Sequence, residues 1–253
     1  MNRAAPVIAI LSDIHGNIQA LRAVLGELEG ESYDDLVVAG DIVVRGLHEA
    51  ECIDLLRELG CAAVMGNSDI WAATSDAPEA VEIRERIGPE RIHFLASLPR
   101  EHRVTPPGGE SPNDDLLIVH STPQEIGTLI LFERNPLYQN PLTPVAEARR
   151  LLGGARANLI VGGHVHFKQR GVIDRQRFAT ISPVSFSVDG DPRAGYVLAT
   201  WDGADWNLEH RRVAYDVEAV ADEIERSGLA KANEWAESLR TGIMEELFSR
   251  YSG

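Results

Sequence analysis

The chain has 253 residues, a formal net charge of −15 and an apolar content of 44%. This composition is typical of a globular protein whose core needs no disulfide or structural metal, and we expect a single domain over residues 1–253. The acidic balance argues against long nucleic acids and anionic membrane surfaces as partners, because both are bound through basic faces. A small anionic substrate remains compatible with this charge if a bound cation reverses the local field.

The first quarter of the chain alternates apolar runs with helical patterns. Buried strands are predicted for VIAIL, DLVVAGD and CAAVMG, with amphipathic helices between them over 17–30 and 49–60. This alternation predicts a parallel sheet with crossover helices. The N-terminal apolar run is too short for a signal peptide or a membrane span, and the two cysteines fit no zinc motif. We therefore expect a cytoplasmic protein with reduced thiols.

The remaining elements are less regular. Residues 123–144 contain four prolines and no clean period, so we interpret them as a long excursion that could act as a lid. Around this excursion the patterns predict helices over 77–88, 89–99 and 143–154, a loop over 105–115, buried strands over 116–120 and 157–163, and antiparallel strands over 178–190 and 195–213. The C-terminal part, about 216–250, is predicted to be helical and acidic, and offers a surface for a partner or a homodimer.

Polar side chains follow five of the predicted strands. They are Asp13 and His15, Asp41, Asn67, His120, and the pair His164 and His166 in GGHVH. Ligands of open α/β sheets bind at the carboxyl ends of the strands, so these side chains are expected to converge. In an extended segment residues i and i+2 point to the same side, which would aim both histidines of the pair at one place.

This residue set indicates a metal centre. Four imidazoles, two carboxylates and one amide suit zinc, manganese, iron, nickel or cobalt better than calcium or magnesium alone. Seven ligands are too many for one tetrahedral zinc, but they suit two metals that share a bridging carboxylate. Two ions about 3.5–4 Å apart can activate a water and stabilise the entering and leaving oxygens at phosphorus.

In this order and at these strand ends, Asp13-x-His15, Gly40-Asp41, Gly66-Asn67, His120 and Gly163-His164-x-His166 resemble the signature of the calcineurin-like metallophosphoesterases. The resemblance spans residues 8–166, and SDIHGN is closest to the small bacterial and archaeal phosphodiesterase branch. It implies an α/β fold, a four-layer sandwich of two mixed β-sheets flanked by helices.

The resemblance also implies ligand roles. One metal would take Asp13, His15 and His166, the other Asn67, His120 and His164, with Asp41 bridging them. A metal-bound hydroxide would attack phosphorus in line, without a covalent intermediate. We expect two divalent ions, manganese first, with iron, zinc, nickel, cobalt or magnesium as alternatives.

Several positions depart from the family pattern or extend it. Many relatives carry a histidine after the asparagine, where it assists the leaving group or holds the phosphate; here that residue is Ser68, which is not a useful general acid near neutral pH. Substrates with good leaving groups are then expected, unless another residue serves as the acid. His48 is a catalytic candidate for that role, and the alternative is a surface histidine at a helix start. Asp69 would either orient a neighbouring ligand or cap a helix.

Two further residues are assigned to the substrate. Arg45 lies in GDIVVRG, which resembles the segment of the phosphoprotein-phosphatase and dinucleotide-polyphosphatase branches in which an arginine grips a phosphate oxygen; Val44 replaces the acidic residue usual there. The alternative for Arg45 is a solvated loop residue. Trp71 is expected either to stack on a base or to be an ordinary buried tryptophan. Ser68 is also placed at the substrate. Arg45 is expected to be catalytic as well, and Asn67 to be both a metal ligand and a catalytic residue.

The leading functional hypothesis is a dinuclear metal-dependent phosphoesterase acting on a small phosphodiester or phosphomonoester. Arg45 motivates the alternative of a protein serine/threonine phosphatase or a dinucleoside polyphosphate hydrolase. A hypothesis of another class is a non-catalytic metal-binding scaffold for a protein partner, which the complete ligand set disfavours.

Overall fold

The computed structural model describes residues 6–135, 137–138 and 140–244. The strands in this part of the chain are, in order, β1 (Val7–Leu11), β2 (Asp35–Val38), β3 (Ala62–Ala63), β4 (Glu101–Val104), β5 (Leu116–Val119), β6 (Leu159–Gly162), β7 (Gln169–Ile173), β8 (Gln176–Thr180), β9 (Ala194–Trp201) and β10 (Trp206–Val213). The helices are α1 (Ile18–Leu28), α2 (Glu49–Leu59), α3 (Asn67–Thr74), α4 (Pro78–Ile87), α5 (Pro89–Ser97), α6 (Val145–Leu152), α7 (Val217–Arg226) and α8 (Ala232–Thr241).

The strands form two mixed five-stranded sheets. The first has the order β10-β9-β1-β2-β3. In it β1, β2 and β3 run parallel to one another, β9 runs antiparallel to β1, and β10 runs antiparallel to β9. The second has the order β4-β5-β6-β8-β7, with β5, β6 and β8 parallel. Two mixed sheets flanked by helices confirm the predicted fold class.

Alternating side chains build the layers. Ile8 and Ile10 of β1 pack between the sheets, together with Ile118 of β5 and Val161 of β6. The intervening residues of β1 face the other way and pack against α1 and α2. On the outside of the second sheet, residues of β5, β6 and β8 pack against α6. Because the period of a strand is two, one apolar run can fill two layers of core.

The helix boundaries follow local signals in the sequence. The side chain of Asn17 accepts the backbone N–H of Ala20 at 3.0 Å and begins α1. Gly60 ends α2 with a φ of 63°, as predicted for a C-terminal glycine. Helices α4 and α5 each begin with a proline at the first helical position, also as predicted.

The structure differs from the sequence-based expectations in four elements. Helix α3 and the edge strands β4 and β7 were not predicted. The strand expected over 178–190 is β8, which ends at Thr180 and runs parallel to β6. Residues 181–188 are instead irregular but buried, because their backbone packs beneath the strand ends. The last part of the predicted C-terminal helices, residues 245–250, lies outside the described residues.

The excursion over 123–144 has neither helix nor strand in its described residues. Gln169, which is buried in β7, holds it: the side-chain oxygen accepts the N–H of Phe132 at 2.8 Å and of Glu133 at 3.2 Å, and the amide donates to the carbonyl of Ile130 at 2.7 Å. Its function as a lid stays a prediction. In the described part of the chain, every helix is too short or too polar to cross a lipid bilayer.

Candidate metal centre

The predicted ligand residues lie just after β1, β2, β5 and β6, except Asn67, which follows β3 as the first residue of α3. Five of them have left-handed backbone conformations although none is a glycine: Asp13 (φ 55°), His15 (50°), Asp41 (55°), His164 (67°) and His166 (59°). Such conformations cost about 1–3 kcal/mol each and persist where surrounding contacts enforce them. Here the backbone N–H of Asp13 donates to the carbonyl of Gly40 and that of His15 to the carbonyl of Asp41, each at 3.0 Å. This concentration of strain is typical of a functional site.

Two glycines allow the turns to approach one another. A Cβ atom at Gly66 would overlap the backbone and carboxylate of Asp41, and one at Gly163 would overlap Ser12 and the carboxylate of Asp13. These positions therefore need glycine because of close packing. The glycine before the histidine pair lets that turn reach Asp13.

Asp13, His15 and His166 form the first ligand group. One ligand atom from each lies within 4.8 Å of the others, and all three residues are buried. His166 Nε2 lies 3.3 Å from Asp13 Oδ1 and 3.2 Å from His15 Nε2. Residues from both sheets meet here, because His15 follows β1 and His166 follows β6.

Asp41, His120 and His164 form the second ligand group, and one ligand atom from each again lies within 4.8 Å of the others. Asn67 joins it, with Oδ1 3.0 Å from His120 Nε2. Asp41 lies between the two groups: its Oδ1 is 3.4 Å from His120 Nε2, and its Oδ2 is 3.7 Å from His15 Nε2. One oxygen of this carboxylate therefore faces each group.

Backbone carbonyls orient the imidazoles. The Nδ1 atoms of His15 and His166 lie 3.2 Å and 2.6 Å from the carbonyl oxygens of Val43 and Phe186. A carbonyl can only accept, so each Nδ1 donates, and the two Nε2 atoms are the ones turned toward each other, 3.2 Å apart. Arg45 Nη1 supplies a positive charge at 3.2 Å and 3.4 Å from the two nitrogens.

Burial and charge set the protonation states. Burial and the positive charge of Arg45 lower the pKa of His15 to about 3, and burial and His120 lower the pKa of His164 to about 4. For His120 burial acts in the same direction, but the carboxylate of Asp41 outweighs it and raises the pKa to about 9. Burial would raise the pKa of Asp13, yet the charge and hydrogen bond of His166 keep it well below its usual range.

The donor set fits divalent transition metals. Neutral imidazoles and ionised carboxylates are the ligands that manganese, iron, zinc, cobalt and nickel accept. Because His15 and His164 are neutral near pH 7, they would bind a cation without releasing a proton. At His120 a bound cation would displace the proton that Asp41 stabilises.

The first turn of α3 supports Asp41. Ser68 donates twice, from its backbone N–H to Asp41 Oδ1 and from its hydroxyl to Asp41 Oδ2, both at 2.8 Å. The buried carboxylate of Asp69 accepts the N–H groups of Asp41, Ile42 and Gly66, each at 2.9 Å. Asp69 thus both caps α3, through the N–H of its N-cap residue Gly66, and holds the candidate ligand Asp41. The sequence suggests these two roles as alternatives.

The other predicted residues occupy different surroundings. His48 begins α2, with Nδ1 2.9 Å from Glu51 and Nε2 3.0 Å from Glu223 of α7. Burial opposes a charge on this ring, but the hydrogen bonds to Glu223 and Glu51 prevail and raise its pKa. Trp71 is partly buried against the core beneath α3. In the described structure neither side chain hydrogen-bonds to a residue of the two ligand groups.

Sequence reasoning missed Phe186. Its φ is 57°, its carbonyl accepts from His166, and its ring packs edge-on against His15 with centroids 5.8 Å apart. The guanidinium of Arg45 lies 5.7 Å from the centre of the same ring. No local pattern marks this residue, because the surrounding run of small and apolar residues resembles a strand.

Comparison with known proteins gave matches over most of the chain. A protein-family model described as calcineurin-like phosphoesterase matches residues 6–168 of the sequence. An uncharacterized protein of Methanocaldococcus jannaschii is 27% identical over 250 residues, which is 88% of this chain and 93% of that protein. A symmetrical bis(5'-nucleosyl)-tetraphosphatase of Mannheimia succiniciproducens is 27% identical over 138 residues, 47% of this chain and 50% of that enzyme.

A solved structure shares the fold. The crystal structure of a metallophosphoesterase from Sphaerobacter thermophilus aligns with a TM-score of 0.72 and 23% identity, covering 94% of this chain and all of that one (100%). At this identity the similarity is evidence for a common architecture.

Proposed function

The chain belongs to the calcineurin-like phosphoesterase family and is a metal-dependent hydrolase of phosphoric esters; from this premise we propose that it uses two divalent cations to hydrolyse a small phosphodiester or phosphomonoester. The observation that carries the proposal is the position of Asp41, with one carboxylate oxygen facing each of two ligand groups. A carboxylate shared between two imidazole-containing groups could bridge two cations, and such a pair can stabilise both the entering and the leaving oxygen at phosphorus.

The proposed ligand roles follow the contacts. Asp13, His15 and His166 would hold one cation; Asn67, His120 and His164 would hold the other, and Asp41 would bridge them. When bound, such a pair supplies positive charge to the phosphoryl oxygens and lowers the pKa of a water molecule that serves as nucleophile. It would also make the site locally positive in a protein whose net charge of −15 by itself repels an anionic substrate.

Arg45 is proposed to orient the substrate. Its guanidinium lies beside His15 and His166 and against the ring of Phe186, which limits its freedom. A planar group with several N–H donors can grip two oxygens of a phosphoryl group at once. Arg45 would thus align phosphorus with the ligand groups.

Departure of the leaving group is proposed to need little help from the residue after Asn67. The hydroxyl proton of Ser68 is already donated to Asp41, and a serine hydroxyl is not an acid near neutral pH. His48, which its two glutamate partners favour in the protonated form, remains the candidate acid. We therefore expect faster hydrolysis of substrates whose leaving groups have a low pKa, such as aryl alcohols or phosphate anions.

A second candidate is the hydrolysis of dinucleoside polyphosphates. The observation in its favour is the identity of 27% over 138 residues with the symmetrical tetraphosphatase. The leaving group of such a reaction is a nucleotide anion, which needs no protonation to depart. In this candidate function Trp71 would stack on a base.

The test is metal content together with hydrolysis of a chromogenic phosphodiester after manganese is added. We expect about two metals per chain and turnover that is lost in Asp41→Asn and His164→Ala. His93→Ala, an exposed histidine of α5, is the matched control and should retain both properties. Absence of metal and turnover from the wild-type protein would refute the proposal. Rates on a simple diester, a dinucleoside tetraphosphate and a phosphopeptide then separate the substrate classes.

A further inference from the structure

Three consecutive residues in the first turn of α3 contact the candidate centre in three different ways. Asn67 presents its side-chain oxygen to His120 at 3.0 Å. Ser68 donates to the carboxylate of Asp41, whereas Asp69 accepts the N–H of Asp41 itself. The position of Asp41 is therefore defined twice, at its backbone by Asp69 and at its carboxylate by Ser68.

We propose that Ser68 is a positioning residue that fixes the plane of the Asp41 carboxylate, and that its hydroxyl specifically sets the oxygen facing the first ligand group. This inference rests on the proposed two-metal function. It assigns Ser68 to the support of a ligand, which differs from the substrate contact expected from the sequence.

His120 faces Oδ1 of this carboxylate, whereas at Oδ2 the close donor is the hydroxyl of Ser68. Asp41 is 2% exposed and Ser68 is 8% exposed, so water has little access to replace either hydrogen bond. With the backbone held by Asp69, the remaining freedom of Asp41 is rotation of its side chain. Two donors at 2.8 Å, one to each oxygen, remove that rotation. Loss of one donor would leave a buried carboxylate oxygen short of a partner.

The two hydrogen bonds are not equivalent. The backbone N–H of Ser68 binds Oδ1, the oxygen that lies 3.4 Å from His120 in the second group. The hydroxyl binds Oδ2, the oxygen that lies 3.7 Å from His15 in the first group. A substitution of the side chain removes only the hydroxyl. Its effect should therefore fall on one ligand group and spare the other.

The experiment measures manganese affinity at each group separately. His120→Ala removes a ligand of the second group and isolates the first, and His15→Ala does the reverse. We expect Ser68→Ala to weaken manganese binding about 10-fold in the His120→Ala background and by less than about twofold in the His15→Ala background. When Ser68→Ala is the only substitution, the protein at limiting manganese should show more of the six-line electron paramagnetic resonance signal of an isolated ion than the wild-type protein does.

Three variants control the comparison. Ser68→Thr keeps the hydroxyl and should restore the wild-type affinities. Ser68→Cys nearly keeps the volume but donates weakly, so it should reproduce the asymmetry, and it replaces Ser68→Ala if that protein fails to fold. Ser238→Ala removes another buried hydroxyl, in α8, that makes no hydrogen bond in the described structure, and should leave manganese binding unchanged.

The outcomes separate this inference from the function it rests on. Equal weakening of both groups by Ser68→Ala and Ser68→Cys, or no weakening at either, overturns the role of Ser68 and leaves the two-metal function intact. Absence of manganese binding in the wild-type protein refutes that function and the inference with it.

Discussion

The side chain of Gln169 holds the excursion over 123–144 to the second sheet, and Gln169→Leu should release it. The substitution removes three hydrogen bonds, to Ile130, Phe132 and Glu133, and replaces the amide with an apolar group of similar size. The carbonyl that loses its partner belongs to Ile130, a residue only 1% exposed, so it bears most of the cost. The two N–H groups lie on half-buried or exposed residues and can turn to water.

The magnitude follows from these contacts. A net hydrogen bond contributes about 1 kcal/mol, and an unsatisfied buried carbonyl costs about 1–3 kcal/mol, so the segment should lose about 2–4 kcal/mol of local stability. At about 1.4 kcal/mol for each factor of ten, opening of the segment should become about 30-fold or more frequent.

Hydrogen exchange read by mass spectrometry measures this opening directly. Peptides from 123–144 should exchange faster in Gln169→Leu, and limited proteolysis should cut there first. The matched control is Gln176→Leu in the neighbouring β8, because that side chain also hydrogen-bonds backbone groups, those of Ala157 and Arg177, without touching the excursion. Unchanged exchange in Gln169→Leu, or equal acceleration in both variants, would refute the reasoning. Metal content should stay the same, whereas substrate range should change if the segment covers the site.

Three further predictions concern the centre and its neighbours. Because the hydroxyl proton of Ser68 is engaged, rates on a series of aryl phosphodiesters should fall steeply as the pKa of the leaving phenol rises; a flat plot would indicate an efficient general acid. Gly163→Ala should displace Asp13 by overlap and impair metal binding at the first ligand group more than at the second, at a cost of about 1–3 kcal/mol in unfolding by urea. Since the glutamates raise the pKa of His48 above 6.5, its ion pair stabilises the fold fully below pH 6.5 and is lost as the pH rises through the folded-state value; the stability advantage of wild type over His48→Gln should shrink accordingly, and a constant difference would contradict the ion pair.

The convergence of the ligand residues was predictable because it depends on a general property of sheets. Carboxyl ends of parallel strands share an edge, so strand patterns alone could bring together Asp13 and Asp41 of the first sheet, and likewise His120 and His164 of the second. The partners of these residues were not predictable in the same way. Contacts such as Ser68 with Asp41 depend on how two turns meet across 27 positions of sequence, and no local pattern encodes that meeting.

The missed elements have physical reasons as well. Helix α3 starts at Gly66, an N-cap without a side chain, so the usual polar start signal is absent. Strand β7 is an edge strand with polar residues and Gly171, which weakens its alternation. Residues 181–190 carry a strand-like alternation, but the left-handed conformation of Phe186 interrupts any strand there.

Each ligand group combines residues from both sheets that are far apart in the sequence. His15 and His166 of the first group, for example, are 151 positions apart. A cation held by both would act as a reversible cross-link between the two halves of the sandwich, and it would close a chain loop as a disulfide does. Resistance to heat and to proteases then becomes a property of the loaded protein, and a chelator would weaken the whole molecule as well as silence its chemistry.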